Sequence, residues 1–149
     1  MTNHRIQTGL TLLRAAVGAI FIAHGAQKLF VYGLSGVAGA FGQLGVPFPE
    51  VTGPMVALLE FFGGIALLVG LLTRYAALGL AITMIGAMVM VHAPAGFFLP
   101  NGIEFTLLLS AAALAFAIMG AGEYSVDALL ARRRQPVLRT APAGRTLHA

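Results

Sequence analysis

The amino-acid sequence predicts an all-α fold: a membrane-embedded four-helix bundle with a short C-terminal amphipathic helix. The 149 residues are 58% hydrophobic and only 9% charged, against the roughly 25% charged share usual in soluble domains. Their mean hydropathy is +0.89. Four long apolar stretches fall at about 10–31, 51–72, 74–93 and 102–120, each near the ~20 residues that cross ~30 Å of hydrocarbon as a helix.

The first span is expected to begin near Thr8 to Leu10 and to end near Val31. Arg14 interrupts it and no convincing small-residue cleavage site precedes the next span, so it reads as a retained helix rather than a removable signal. In the Gly-rich segment YGLSGVAGAFGQLGVPFPE, Phe41 and Leu44 suggest a short interfacial helix broken by Gly45, Pro47 and Pro49. Thr52 and Pro54 suit the second span as N-cap and early-turn proline. Arg74 opens the third span after a link short enough only for an antiparallel hairpin. Gly79, Thr83 and Gly86 would let a neighbouring backbone approach, and Pro94 ends the span just after His92. Asn101 is the expected cap of the fourth span. Beyond it Gly120 and Gly122 turn the chain, and Ser125 caps a short basic helix with Asp127 in its first turn. Residues 1–131 thus read as the membrane domain and 132–149 as a basic, disordered cytoplasmic tail.

The formal net charge is +4 and the isoelectric point about 10.4. Arg5, Arg74 and the tail arginines Arg132, Arg133, Arg134, Arg139 and Arg145 all fall on one side of a four-span topology, which the positive-inside rule makes cytoplasmic together with both termini. The basic tail then meets anionic lipid headgroups rather than nucleic acid. Cysteine is absent, which excludes thiol chemistry and thiolate metal ligation within this chain. No metal site is expected, and any redox role must come from a cofactor or a partner.

Against that apolar background the ionisable residues stand out. His24, Gln27 and Lys28 share one face of the first span at i, i+3 and i+4. Glu60 lies about six residues past Pro54, roughly 9 Å inside the second span. His92 ends the third span and Glu104 opens the fourth. All four spans therefore bring an ionisable group to the outer half of the bundle, and intramembrane ionisable groups generally face a partner, a cavity or the bundle interior. Lys28 with Glu60 or Glu104 is the natural ion pair. Plainer alternatives stand beside these. Lys28 could snorkel, His92 suits a helix C-terminus, Glu104 has capping-box spacing from Asn101, and His24 could be a neutral core histidine. Arg14 is expected to snorkel at the cytoplasmic interface; a second grouping with Glu123 or Asp127 is weaker.

Together His24-Gly25-x-x-Lys28, Glu60-x-x-Gly63-Gly64, Gly70-x-x-Thr73-Arg74, Asn101-Gly102-x-Glu104 and Gly120-x-Gly122-x-Tyr124-Ser125-x-Asp127 give the chain its likeness to a known group. In order and spacing it resembles the DoxX family of small four-helix membrane proteins, over about residues 9–130. The resemblance implies a multi-pass protein of the cell inner membrane, in a family named for a subunit associated with quinone-linked sulfur oxidation. The expectation is a redox-associated membrane subunit or accessory. It would bind a quinone-like lipid through His24, Gln27, Lys28, Glu60, His92 and Glu104, and would have membrane lipids, and a membrane or peripheral redox protein, as partners. The alternative is a non-enzymatic assembly or scaffold protein whose polar cluster fixes helix packing; a small transporter and haem ligation by His24 and His92 rank lower. Whether the chain turns over a substrate stays open.

Overall fold

A computed structural model describes residues 2–134; of the expected tail, Arg132–Arg134 belong to the last helix, whose register continues from Val126, and the rest, from Gln135, lies outside the described residues. The described chain is helical, with no strand among those residues. Its α-helices are α1 (Thr2–Ala26), α2 (Gly33–Gln43), α3 (Pro49–Val69), α4 (Thr73–Ala87), α5 (Glu104–Met119) and α6 (Val126–Arg134). Two π-helical turns, Gln27–Tyr32 and Met88–His92, extend α1 and α4. The N-terminal rod from Asn3 to Gln43, α3, and α4 with its extension are each long and apolar enough to cross a membrane, and α5 is a shorter apolar helix.

The first helix does not stop at Val31. It widens into the π turn, is redirected at Gly33, where φ is +69°, and continues as α2. A positive φ at that point is open to glycine at no steric cost. α3 likewise starts earlier than Thr52 and Pro54 suggest. Phe48 takes the left-handed conformation and Pro49, with its preset φ, becomes the first helical residue. The Thr52 hydroxyl bonds back to the carbonyls of Pro47 and Phe48 instead of capping. Asn101 does not cap α5 either, which begins at Glu104. Ser125 does cap α6, accepting from the Ala128 amide at 3.1 Å.

α1 packs mainly on α3, α3 on α4, α4 on α5, and α2 on the first half of α3. Val17, Phe21, Leu67, Leu80, Met84, Leu109 and Phe116 form the core. Outward-facing residues are apolar as well: Leu12 is 67% exposed and Ile118 75%. A bundle apolar on both faces has lipid as its solvent. The α1–α3 contact is glycine-mediated. A Cβ on Gly25 would collide with the backbone of Phe61, and one on Gly64 would lie 2.8 Å from the Ile22 amide nitrogen. Gly18 faces Leu68, Gly25 faces Phe61, and Gly53 meets Ala38 of α2 further on. Each step along the N-terminal rod is matched by a step back along α3, an antiparallel register set by backbone proximity.

Gly25→Ala is therefore expected to destabilise the bundle by ~1–3 kcal/mol through overpacking, seen as a lowered Tm in mild detergent. Gly39→Ala, with nothing within 4 Å of the added carbon, should leave the Tm unchanged.

Candidate functional site

Glu60 is the twelfth of the 21 residues of α3, about 16 Å from its start and hence at mid-length, deeper than the sequence suggested. It belongs to the buried stripe of α3 with Gly53, Ala57, Gly64 and Leu67. Its carboxylate accepts a hydrogen bond from Lys28 Nζ at 2.5 Å. The Glu60 side chain is 3% exposed and that of Lys28 20%, so the carboxylate is enclosed while the ammonium keeps one open side. This is the only salt bridge among the described residues. A buried charge is tolerated in hydrocarbon when a partner neutralises it. Phe30 and Phe61 meet edge to face beside the pair, with ring centroids 5.7 Å apart.

The open side of Lys28 gives onto a groove of about 520 Å³, lined also by Gln27, Tyr32, Val37, Ala40 and Phe41. The π turn makes this possible. Its wider backbone turns Gln27, Lys28 and Tyr32 toward the groove that α2 closes, and π turns occur frequently at functional sites. Tyr32, Val37 and Phe41 were not singled out by sequence; Val37 is the only buried residue of α2, but a π insertion leaves no signature in hydrophobic spacing.

The other expected members lie apart. His24 is exposed on α1, its ring 6.2 Å from that of Phe105. His92 Nδ1 is 2.8 Å from the Asn101 carbonyl oxygen. Glu104 accepts from the Leu99 amide at 2.8 Å. These last two tie down the 93–103 loop, so the six residues divide into Gln27 and Lys28, which line the groove with Glu60 enclosed behind Lys28, a loop set (His92, Glu104), and His24 beside Phe105. Among the described residues no group of three His, Cys, Asp or Glu is placed to hold a metal.

A second polar cluster sits at the opposite end. Arg14 does not snorkel: it is 3% exposed and donates through its two terminal nitrogens to the carbonyls of Ala121 and Tyr124, at 2.5 and 2.7 Å. Asp127 accepts from the amides of Leu72 and Thr73 at 2.8 and 3.0 Å, where a carboxylate also complements the α4 dipole. The Asp127 amide in turn donates to the Gly70 carbonyl at 2.8 Å. Gly70, with φ +73°, lies so close to Arg14 and Ser125 that a Cβ would collide with both. Gln7 accepts from the Glu123 amide and Asn3 donates to the Glu123 carboxylate. The 70–73 and 120–127 segments thus form one clasp around Arg14.

Apolar outer surfaces with charged groups enclosed at two levels define a small polytopic helical membrane protein. The family model described as DoxX matches residues 9–93, and the chain belongs to the DoxX family. It is 32% identical over 125 residues to CatD of Bacillus subtilis (strain 168), which is provisionally named an oxidoreductase; the match covers 84% of this chain and 89% of that one. It is 34% identical over 127 residues to the inner membrane protein YqjF of Escherichia coli (strain K12), covering 84% and 94%. An uncharacterised protein of Haemophilus influenzae is 36% identical over 122 residues, covering 79% and 87%. No solved structure matches the chain.

Two outcomes follow from these geometries. Lys28→Met strands the Glu60 carboxylate and should lower stability by roughly 3 kcal/mol. The double variant Lys28→Met/Glu60→Leu should lose less than that single one in a thermal double-mutant cycle. Arg14→Met leaves the buried Ala121 carbonyl unpaired, at about 1–3 kcal/mol, frees the part-buried Tyr124 carbonyl, and should expose the 120–125 loop to protease. Arg14→Lys should recover only part of the loss, because an ammonium cannot reproduce the guanidinium fork.

Proposed function

We propose that the protein is a redox-associated membrane accessory that holds a quinone-like lipid in the groove beside Lys28. The observation that carries this reading is the half-open ion pair, an ammonium held by a carboxylate inside the bundle and facing an apolar groove. The groove's composition fits such a ligand, since apolar and aromatic walls suit a ring and tail while a few polar groups fix orientation. Lys28 Nζ and the Gln27 amide are the donors for a carbonyl oxygen, and Tyr32 is within the same lining. A bound quinone would supply the two-electron chemistry that a cysteine-free chain lacks. Glu60 would hold the Lys28 ammonium in one orientation, so that growing negative charge on a carbonyl oxygen meets a fixed donor. His24, one turn before Lys28, lies beside Phe105 and outside the groove lining, and His92 and Glu104 would keep the 93–103 loop in place. The provisional oxidoreductase name of CatD supports a redox setting. The name of YqjF supports the inner membrane, and the arginines at the termini end support cytoplasmic termini.

A second reading has its own support. The pair adjoins the tight Gly25–Phe61 contact, where it could fix helix register in an assembly protein, with no ligand at all. Extraction of lipid-soluble cofactors from the detergent-purified protein, followed by mass spectrometry, separates the two. Near-stoichiometric quinone in the wild type and its loss in Glu60→Gln is the expected result. Equal content in both, or none in either, would overturn the quinone site.

A further inference from the structure

α6 leaves the bundle at the end opposite the Lys28 groove, and no residue of it is buried. It is nevertheless fixed, because Ser125 caps it and Asp127 binds the α3–α4 turn through both amide and carboxylate. That turn joins two apolar spans, so it lies where hydrocarbon gives way to headgroups. Between α6 and the turn runs a groove of about 390 Å³ lined by Leu71, Leu72, Asp127, Leu130, Ala131 and Arg134. Its one carboxylate is already engaged by the Leu72 and Thr73 amides. Arg132, Arg133 and Arg134 occupy the last turn of α6, and exposed Arg5 and Arg74 belong to the same end. Among the described residues none of these five arginines is paired with a carboxylate.

We infer that this groove is a binding site for one anionic phospholipid. Its phosphate lies against Arg134 and the neighbouring guanidinium groups, and its acyl chains descend past Leu72 and Leu130. The argument is one of charge and depth together. A basic rim calls for an anion, whereas Leu72, Leu129 and Leu130, 61, 59 and 41% exposed, call for hydrocarbon, and an anionic phospholipid supplies both within one molecule. Arginine is the better phosphate partner because its planar fork binds two oxygens at once. A headgroup seated there would hold α6 against the membrane surface, and through Asp127 would brace the α3–α4 turn.

The test uses the full chain in a zwitterionic detergent, with labelled phosphatidylglycerol and phosphatidylcholine as probes. The wild type is expected to prefer phosphatidylglycerol by about tenfold, and Arg132→Gln/Arg133→Gln/Arg134→Gln to bring the two within about twofold. Leu130→Glu, which puts a carboxylate in the groove while keeping every arginine, should also abolish the preference. All of these positions are exposed, and an unchanged Tm confirms that each variant is folded. Equal binding of the two lipids by the wild type would overturn the proposal. So would a preference that survives Leu130→Glu, which would reduce it to unspecific surface charge. Complete displacement of the lipid by excess inorganic phosphate would assign the site to a free anion and overturn it too.

Discussion

The close approach of the α1 and α3 backbones is the constraint on which the rest of the bundle depends. Lipid offers no hydrophobic force to press two apolar helices together, so they associate where small residues let main chains touch over a long seam. Gly18, Gly25 and Gly64 provide that seam. Gly18 and Gly25 lie two helical turns apart and hence on one face. The resulting register puts the short Glu60 side chain opposite the longer Lys28, so that the two meet at 2.5 Å. Charge pairing is thus a consequence of the glycine seam, and through the pairing the seam makes the enclosed Glu60 carboxylate tolerable.

The clasp at the termini end answers a different problem. Loops that join spans carry backbone groups which water cannot always reach, and each needs a partner within the protein. Arg14 and Asp127 divide the task by sign, the guanidinium serving two carbonyls of the 121–124 turn and the carboxylate serving two amides at the start of α4. Leu72 is held at φ +47° between these contacts, a left-handed conformation costly for a non-glycine residue. Asp127 receives the Leu72 amide directly, so the unfavourable backbone and the bond that holds it are the same feature.

Much of this was legible in the sequence, for physical reasons. Hydropathy gave the apolar helices because a bilayer imposes apolarity on all of them, although the first apolar run extends to Gln43 and the fourth helix, Glu104–Met119, is shorter than the others. The Lys28–Glu60 pair was legible because so few charges occur in the chain that two opposite ones on neighbouring spans had few other solutions. Arg14 was misread because snorkelling is the rule for an arginine near a span's end, and only the fold brings the 121–124 carbonyls to it. Yet the motifs Gly70-x-x-Thr73 and Gly120-x-Gly122-x-Tyr124-Ser125-x-Asp127 already held the clasp's other half; what the sequence lacked was that they meet. Sequence depth puts His92 and Glu104 beside Lys28, but depth does not distinguish a bundle interior from the loop above it, where both residues bond. The π turn escaped because one inserted residue rotates side chains without changing composition.

The two clusters are linked through α3, which bears on how the ion pair is to be understood. α3 carries Glu60 at its middle and ends at Gly70, whose carbonyl is bound by the Asp127 amide, while Gly64 and Gly53 hold it against α1 and α2. Its axial position is therefore determined without Glu60. Buried polar contacts between membrane helices average only ~0.6 kcal/mol, little beside contacts made along a whole glycine seam. A charged pair in that position adds modest stability to a register already fixed, and it brings the hazard of an uncompensated charge whenever it opens. What it does supply is an ammonium held in one orientation at the edge of an apolar groove, the kind of preorganised donor that a carbonyl-bearing ligand requires. On that balance the proposed ligand reading rests on where the pair lies, at the edge of the groove, more than on the strength it lends to the helices it joins.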